Sequence, residues 1–175
     1  MDSFILEEVR QRKSDCGPKC SKYRGALAVE LIRSALRQEG LFVSDRDVYI
    51  KGIPLEIDLL ILKSDSSPAN HILYNANDVL AILEIKNRGS FGEVSIKQIR
   101  ENFNLIRSSN DNIECLYVTI SERETYRWKV TPENIGSPVY TLFWNTGTED
   151  KLKFERTGEW DTLITVIKKM SLSVR

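Results

Sequence analysis

The sequence predicts an α/β fold, a central mixed β-sheet covered by helices on both faces. Residues 79–86, V-L-A-I-L-E-I-K, are apolar at odd and even positions alike until Glu84, as an inner strand covered on both sides must be. Residues 22–38 and 93–107 carry apolar side chains three or four apart, the period of helices with one buried face. The order of residues 79–86, 93–107 and 113–120 is strand, helix, strand, which can close a parallel crossover, right-handed by rule.

At 175 residues the chain is expected to form a single domain over 1–175. Its core is expected at about 22–144, with an N-terminal extension over 1–21 and a C-terminal helix at about 159–171. The 25 basic and 25 acidic residues cancel, so charge neither favours nor excludes nucleic acid. No apolar run approaches the roughly 20 residues of a membrane span. The opening M-D-S-F-I-L-E-E-V-R does not read as a secretory signal, so a cytoplasmic location is expected, with no membrane partner. Three cysteines make no disulfide framework. Cys16 and Cys20 fall two short of a tetrahedral zinc set, and the lone His71 lies far along the chain. Reduced thiols are expected, with Cys115 as core filler.

Residues 1–13 can form a short helix, broken at 14–18 by the D-C-G-P segment. In the helix at 22–38, Leu27, Leu31, Ile32, Ala35 and Leu36 make the buried stripe, and Gly40 ends it. Glu30 sits off the centre of that stripe. Residues 47–51 read as a short strand, 52–54 as a tight turn and 55–63, L-E-I-D-L-L-I-L-K, as a second strand in a hairpin. Period two puts Glu56, Asp58, Leu60 and Leu62 on one face of that strand. A polar loop follows at 64–78, with a brief extended piece near 71–74. The helix at 93–107 turns Ile96, Ile99, Phe103 and Ile106 to one side. Residues 121–137 allow a short helix at 123–128, 139–144 read as a last strand and 145–158 as a loop.

Charge breaks the apolar pattern at two places. Asp58 interrupts one core strand, and Glu84 and Lys86 close the next on a shared face. A buried charge costs several kcal/mol unless it is paired or bound to a metal. If the strands are neighbours, Asp58 and Glu84 approach each other, and a cation between them would relieve their repulsion. Oxygen-only ligands suit Mg²⁺, with Mn²⁺ as a substitute, and the Ile85 carbonyl could add one more. Lys86 beside such an ion could orient or help deprotonate an attacking water. These are the parts of phosphodiester hydrolysis. A structural ion pair at a strand end is the competing reading.

The arrangement resembles the PD-(D/E)xK superfamily of nucleases, the restriction-endonuclease-like fold. Asp58 in E-I-D-L-L-I-L and Glu84-Ile85-Lys86 in L-A-I-L-E-I-K carry the likeness over the span from Tyr23 to about Ile120. Ile57 stands where the proline of the superfamily's name would precede Asp58. The chain is also similar to a group of bacterial and phage domains whose helix opens on K-G or R-G, here Arg24-Gly25. The resemblance implies a three-layer α/β/α core and a Mg²⁺-dependent deoxyribonuclease in defence, restriction or DNA processing. It implies catalytic roles for Asp58, Glu84 and Lys86, joined by Glu30 and Gln98, and metal binding by Asp58, Glu84 and Ile85. Asn87, Arg88 and Lys97 are candidates for contact with nucleic acid. The same fold also serves modules that bind DNA or a protein without cutting. A homodimer and a partner subunit both stay open as sources of specificity.

Overall fold

A computed structural model describes residues 21–63, 66–87, 93–121, 130–145, 153–155 and 158–172. The order is α1 (Ser21–Gln38), β1 (Val48–Ile50), β2 (Ile53–Ile57), β3 (Leu59–Leu62), β4 (Leu73–Tyr74), a 3₁₀ turn, β5 (Val79–Asn87), α2 (Glu93–Ser109), β6 (Glu114–Ser121), α3 (Pro132–Ile135), β7 (Val139–Asn145), β8 (Lys153–Glu155) and α4 (Gly158–Leu172). The main sheet runs β3-β5-β6-β7-β8. Its inner pairs β5–β6 and β6–β7 are parallel, and its outer pairs are antiparallel. A smaller sheet, β2-β1-β4, is mixed as well.

The main sheet is buried on both faces, which is why β5 is apolar at consecutive positions. On one side Leu31, Ile32 and Leu36 of α1 and Trp160, Leu163 and Ile167 of α4 pack on Leu83, Ile85, Val118 and Leu142. On the other, Ile99, Phe103 and Ile106 of α2 pack on Leu60, Ile82, Cys115 and Tyr117, together with Val48, Ile53 and Ile57 of the small sheet. Each large aliphatic or aromatic side chain so buried contributes roughly 1.5–3 kcal/mol. Cys115 is core filler as expected, and burial pushes its thiol up to about 11.

The structure corrects four expectations. Residues 55–63 are not one strand. The chain bends at Asp58, so β2 joins the small sheet and β3 the main one. Ile57 and Leu60 therefore enter the same core, and the period-two face drawn through Glu56, Asp58 and Leu60 does not exist. Glu56 instead stays exposed and accepts a hydrogen bond from the Tyr49 hydroxyl. Within β5 the pairing steps from Ile61↔Ala81 to Leu62↔Val79, so Leu80 is an extra, bulged residue. Period two alone would put Leu80 on the face of Ile82, Glu84 and Lys86, but the bulge sends it to the α1 side with Ala81. The loop expected at 145–158 contains β8, paired with Phe143–Asn145.

Other expectations hold. The β1–β2 hairpin pairs Val48 with Ile57, and Gly52 takes the left-handed conformation its turn requires. Residues 1–13, Cys16 and Cys20, and the helix expected at 123–128 lie outside the described residues. Among the described residues no helix is long and apolar enough to cross a membrane.

Candidate active site

The break at Asp58 builds the site. The β3–β5 ladder ends at Leu59↔Leu83, and one further step along that register sets Asp58 across from Glu84. Here the backbone leaves for β2, so the next amide of β5 has no strand partner on this side. The Asp58 carboxylate takes that place, with Oδ2 accepting the Ile85 N–H at 2.6 Å. Glu84 and Lys86 lie two residues apart on the α2 face of β5. The Lys86 ammonium is 2.5 Å from Glu84 Oε1 and 3.8 Å from Asp58 Oδ2. The side chains of Asp58, Glu84 and Lys86 are 23%, 19% and 35% exposed, so the cluster is sheltered yet reachable. It stands at the carboxyl end of β5, where open α/β sheets hold their ligands.

Among the described residues, two carboxylates share one ammonium here. Burial first, and then the Glu84 carboxylate, push Asp58 up to about 6, while Lys86 and the Ile85 amide pull the other way. Burial alone would lower Lys86, but the nearby Glu84 and Asp58 charges outweigh it and leave the ammonium above its ordinary value. Lys86 is therefore a firm cation that partly offsets two anions. The remaining negative charge and the oxygen-only donor set fit a hard divalent cation. Among the described residues no three His, Cys, Asp or Glu side chains gather into a metal site. An ion here would complete its shell with backbone oxygen and water, the habit of Mg²⁺.

Among the described residues, the other candidates bond to partners outside this cluster. Glu30 faces Arg33 and Arg46, at 2.8 Å and 3.9 Å. Gln98 is exposed and donates to Asn102 on its own helix. Lys97 is 78% exposed and pairs with Glu101. Asn87 ends β5, its side chain outside the description, and Arg88 is outside the described residues. His71 is exposed in a left-handed turn, and Trp160 is core.

Two residues that the sequence reading passed over line the site. Tyr117 and Thr119 stand beside Glu84 and Lys86 in the β5–β6 register, both buried. Burial, then the Glu84 and Asp58 charges, hold the Tyr117 hydroxyl above its ordinary value. The signal was available in I-E-C-L-Y-V-T-I. Its alternate positions Cys115, Tyr117 and Thr119 carry polar atoms, whereas Leu116, Val118 and Ile120 carry none.

No protein-family model matches the sequence, and no curated protein matches it. Among solved structures, NucC of P. aeruginosa ATCC27853 in its cAAA-bound form is similar with a TM-score of 0.58 and 13% identity, over 98% of this chain and 89% of that one. NucC of E. coli MS115-1, also cAAA-bound, is similar with a TM-score of 0.56 and 13% identity, over 97% and 88%. At that identity the likeness is one of fold alone: this chain has a restriction-endonuclease-like fold.

Proposed function

We propose that the protein is a metal-dependent nuclease that hydrolyses phosphodiester bonds in DNA, with a role in defence, restriction or DNA processing. The observation that carries this is the meeting of Asp58, Glu84 and Lys86 at the end of β5, on a fold shared with NucC. Asp58, Glu84 and the Ile85 carbonyl would hold Mg²⁺ or Mn²⁺. Such an ion supplies charge neutralisation on the phosphate and a lowered pKa for water. Lys86 holds a water by donating from Nζ and steadies the growing negative charge on the attacked phosphate. Tyr117 and the α2 side chains beneath it keep that face of the site dry. Glu30 and Gln98 would extend the machinery from the flanking helices, and Asn87, Arg88 and Lys97 would hold the DNA backbone. Kinship to the bacterial and phage domains with an R-G helix opening rests on Arg24-Gly25 together with the Asp58 and Glu84-Ile85-Lys86 strands.

The test is plasmid and linear DNA incubated with Mg²⁺ or Mn²⁺, for the wild type, Asp58→Ala and Lys86→Ala. Metal-dependent cleavage by the wild type alone is expected. Equal cleavage by all three sinks the reading. Both NucC structures hold cAAA, so a parallel arm includes it. Stimulation there would put this chain's cleavage under the same ligand.

A further inference from the structure

Thr119 is left unexplained by the site as described. It is 1% exposed, and its Oγ1 has no hydrogen-bond partner among the described residues. A buried hydroxyl without a partner is a net cost that a valine of the same shape would avoid. Thr119 is the register partner of Lys86 on the adjacent parallel strand. Register partners share a face, and neighbouring strands lie about 4.8 Å apart. The opposite face of β6 is apolar at Val118 and Ile120.

The second observation is where the Lys86 ammonium rests. At 2.5 Å from Glu84 and 3.8 Å from Asp58, it occupies the cation position of the carboxylate pair. A divalent ion cannot enter that position while an ammonium fills it, because the two cations repel. The ammonium must then move to another acceptor on the same face. Its four-carbon stem spans the distance to the next strand, and a hydroxyl oxygen accepts an N–H.

We propose that Thr119 is a positioning residue for Lys86, its Oγ1 receiving the ammonium when a divalent cation takes the place between Asp58 and Glu84. Lys86 keeps its proton throughout, and only its acceptors change. This explains a buried hydroxyl that has no partner among the described residues. It also gives Lys86 a fixed position beside the attacked phosphate once the ion is bound. The inference rests on the nuclease reading.

Mn²⁺ titration calorimetry on the full chain tests it, with the wild type, Thr119→Val and Thr119→Ser. Thr119→Val should melt at or above the wild-type temperature without metal, yet bind Mn²⁺ about 5–10-fold more weakly, because the displaced ammonium finds no acceptor. Thr119→Ser should bind within twofold of the wild type. Wild-type Mn²⁺ binding with Thr119→Val equally tight overturns this inference and leaves the nuclease reading standing. A lowered melting temperature for Thr119→Val without metal would mean the hydroxyl is already bonded there, and also overturns it. No Mn²⁺ binding by the wild type removes the nuclease reading and this inference together.

Discussion

Two ionic clusters meet around Asp47, and they are built differently. In the first, Arg33, Arg37 and Arg46 face Glu30, Asp45 and Asp47, three cations to three anions. Arg33 also donates to the Ser44 carbonyl at 3.0 Å, and the Ser44 hydroxyl accepts the Leu60 N–H at 2.9 Å. This cluster fastens α1 to the segment that runs along β3. In the second, Asp58 and Glu84 share only Lys86 among the described residues. Balanced, largely open ion pairs add modestly to stability. An unbalanced, sheltered group with a raised carboxyl costs stability, and such groups gather where ligands bind. The surplus charge, not the number of charged residues, separates the two.

The sharpest way to break this comparison is activity. Lys86→Ala or Glu84→Gln should lower DNA cleavage at saturating Mg²⁺ by about 10²-fold or more, measured as plasmid nicking per folded molecule. Arg33→Ala should instead cost about 2 kcal/mol in urea unfolding, because it removes two ion pairs and a carbonyl contact. If Arg33→Ala also lost cleavage as Lys86→Ala does, the two clusters would be one site that includes Glu30.

A third expectation has the opposite sign. The folded-state pKa of Asp58 lies above its ordinary 3.8, near 6, so protonation favours the native state. That contribution is fully present below pH 3.8 and is lost as pH rises through about 6. Asp58→Asn keeps an oxygen for the Ile85 N–H and never ionises. It should stabilise the metal-free protein by about 1–2 kcal/mol at pH 7.5, the gain vanishing below about pH 4 in thermal melts. Equal stability at all pH values would make Asp58 a plain cap of β5. The smallest effect belongs to Lys97→Ala. It should leave stability within about 0.5 kcal/mol and weaken DNA binding a few-fold, less so as salt rises, as read by a fluorescence titration.

Much of this is legible in the amino-acid sequence. The faces of α1 and α2 follow from apolar spacing that repeats every three or four residues. The burial of β5 follows from apolar side chains at consecutive positions. Asp58, Glu84 and Lys86 stood out because charge in a core strand needs a reason. The hairpin and the parallel crossover followed from element order and short connections.

What the amino-acid sequence determined by itself was therefore local: which segments repeat with which period, and where a charge violates it. The tertiary structure alone decided the break at Asp58, the bulge at Leu80 and the strand β8. Period two reads the same through a bend as through a straight strand, and only the choice of sheet partner tells them apart. It also decided that Asp58 takes the amide its own strand abandons, that Glu30 turns to Arg33, and that Thr119, beside Lys86, has no hydrogen-bond partner among the described residues. Each depends on which residue of a distant segment lies opposite, and that is set by register between strands.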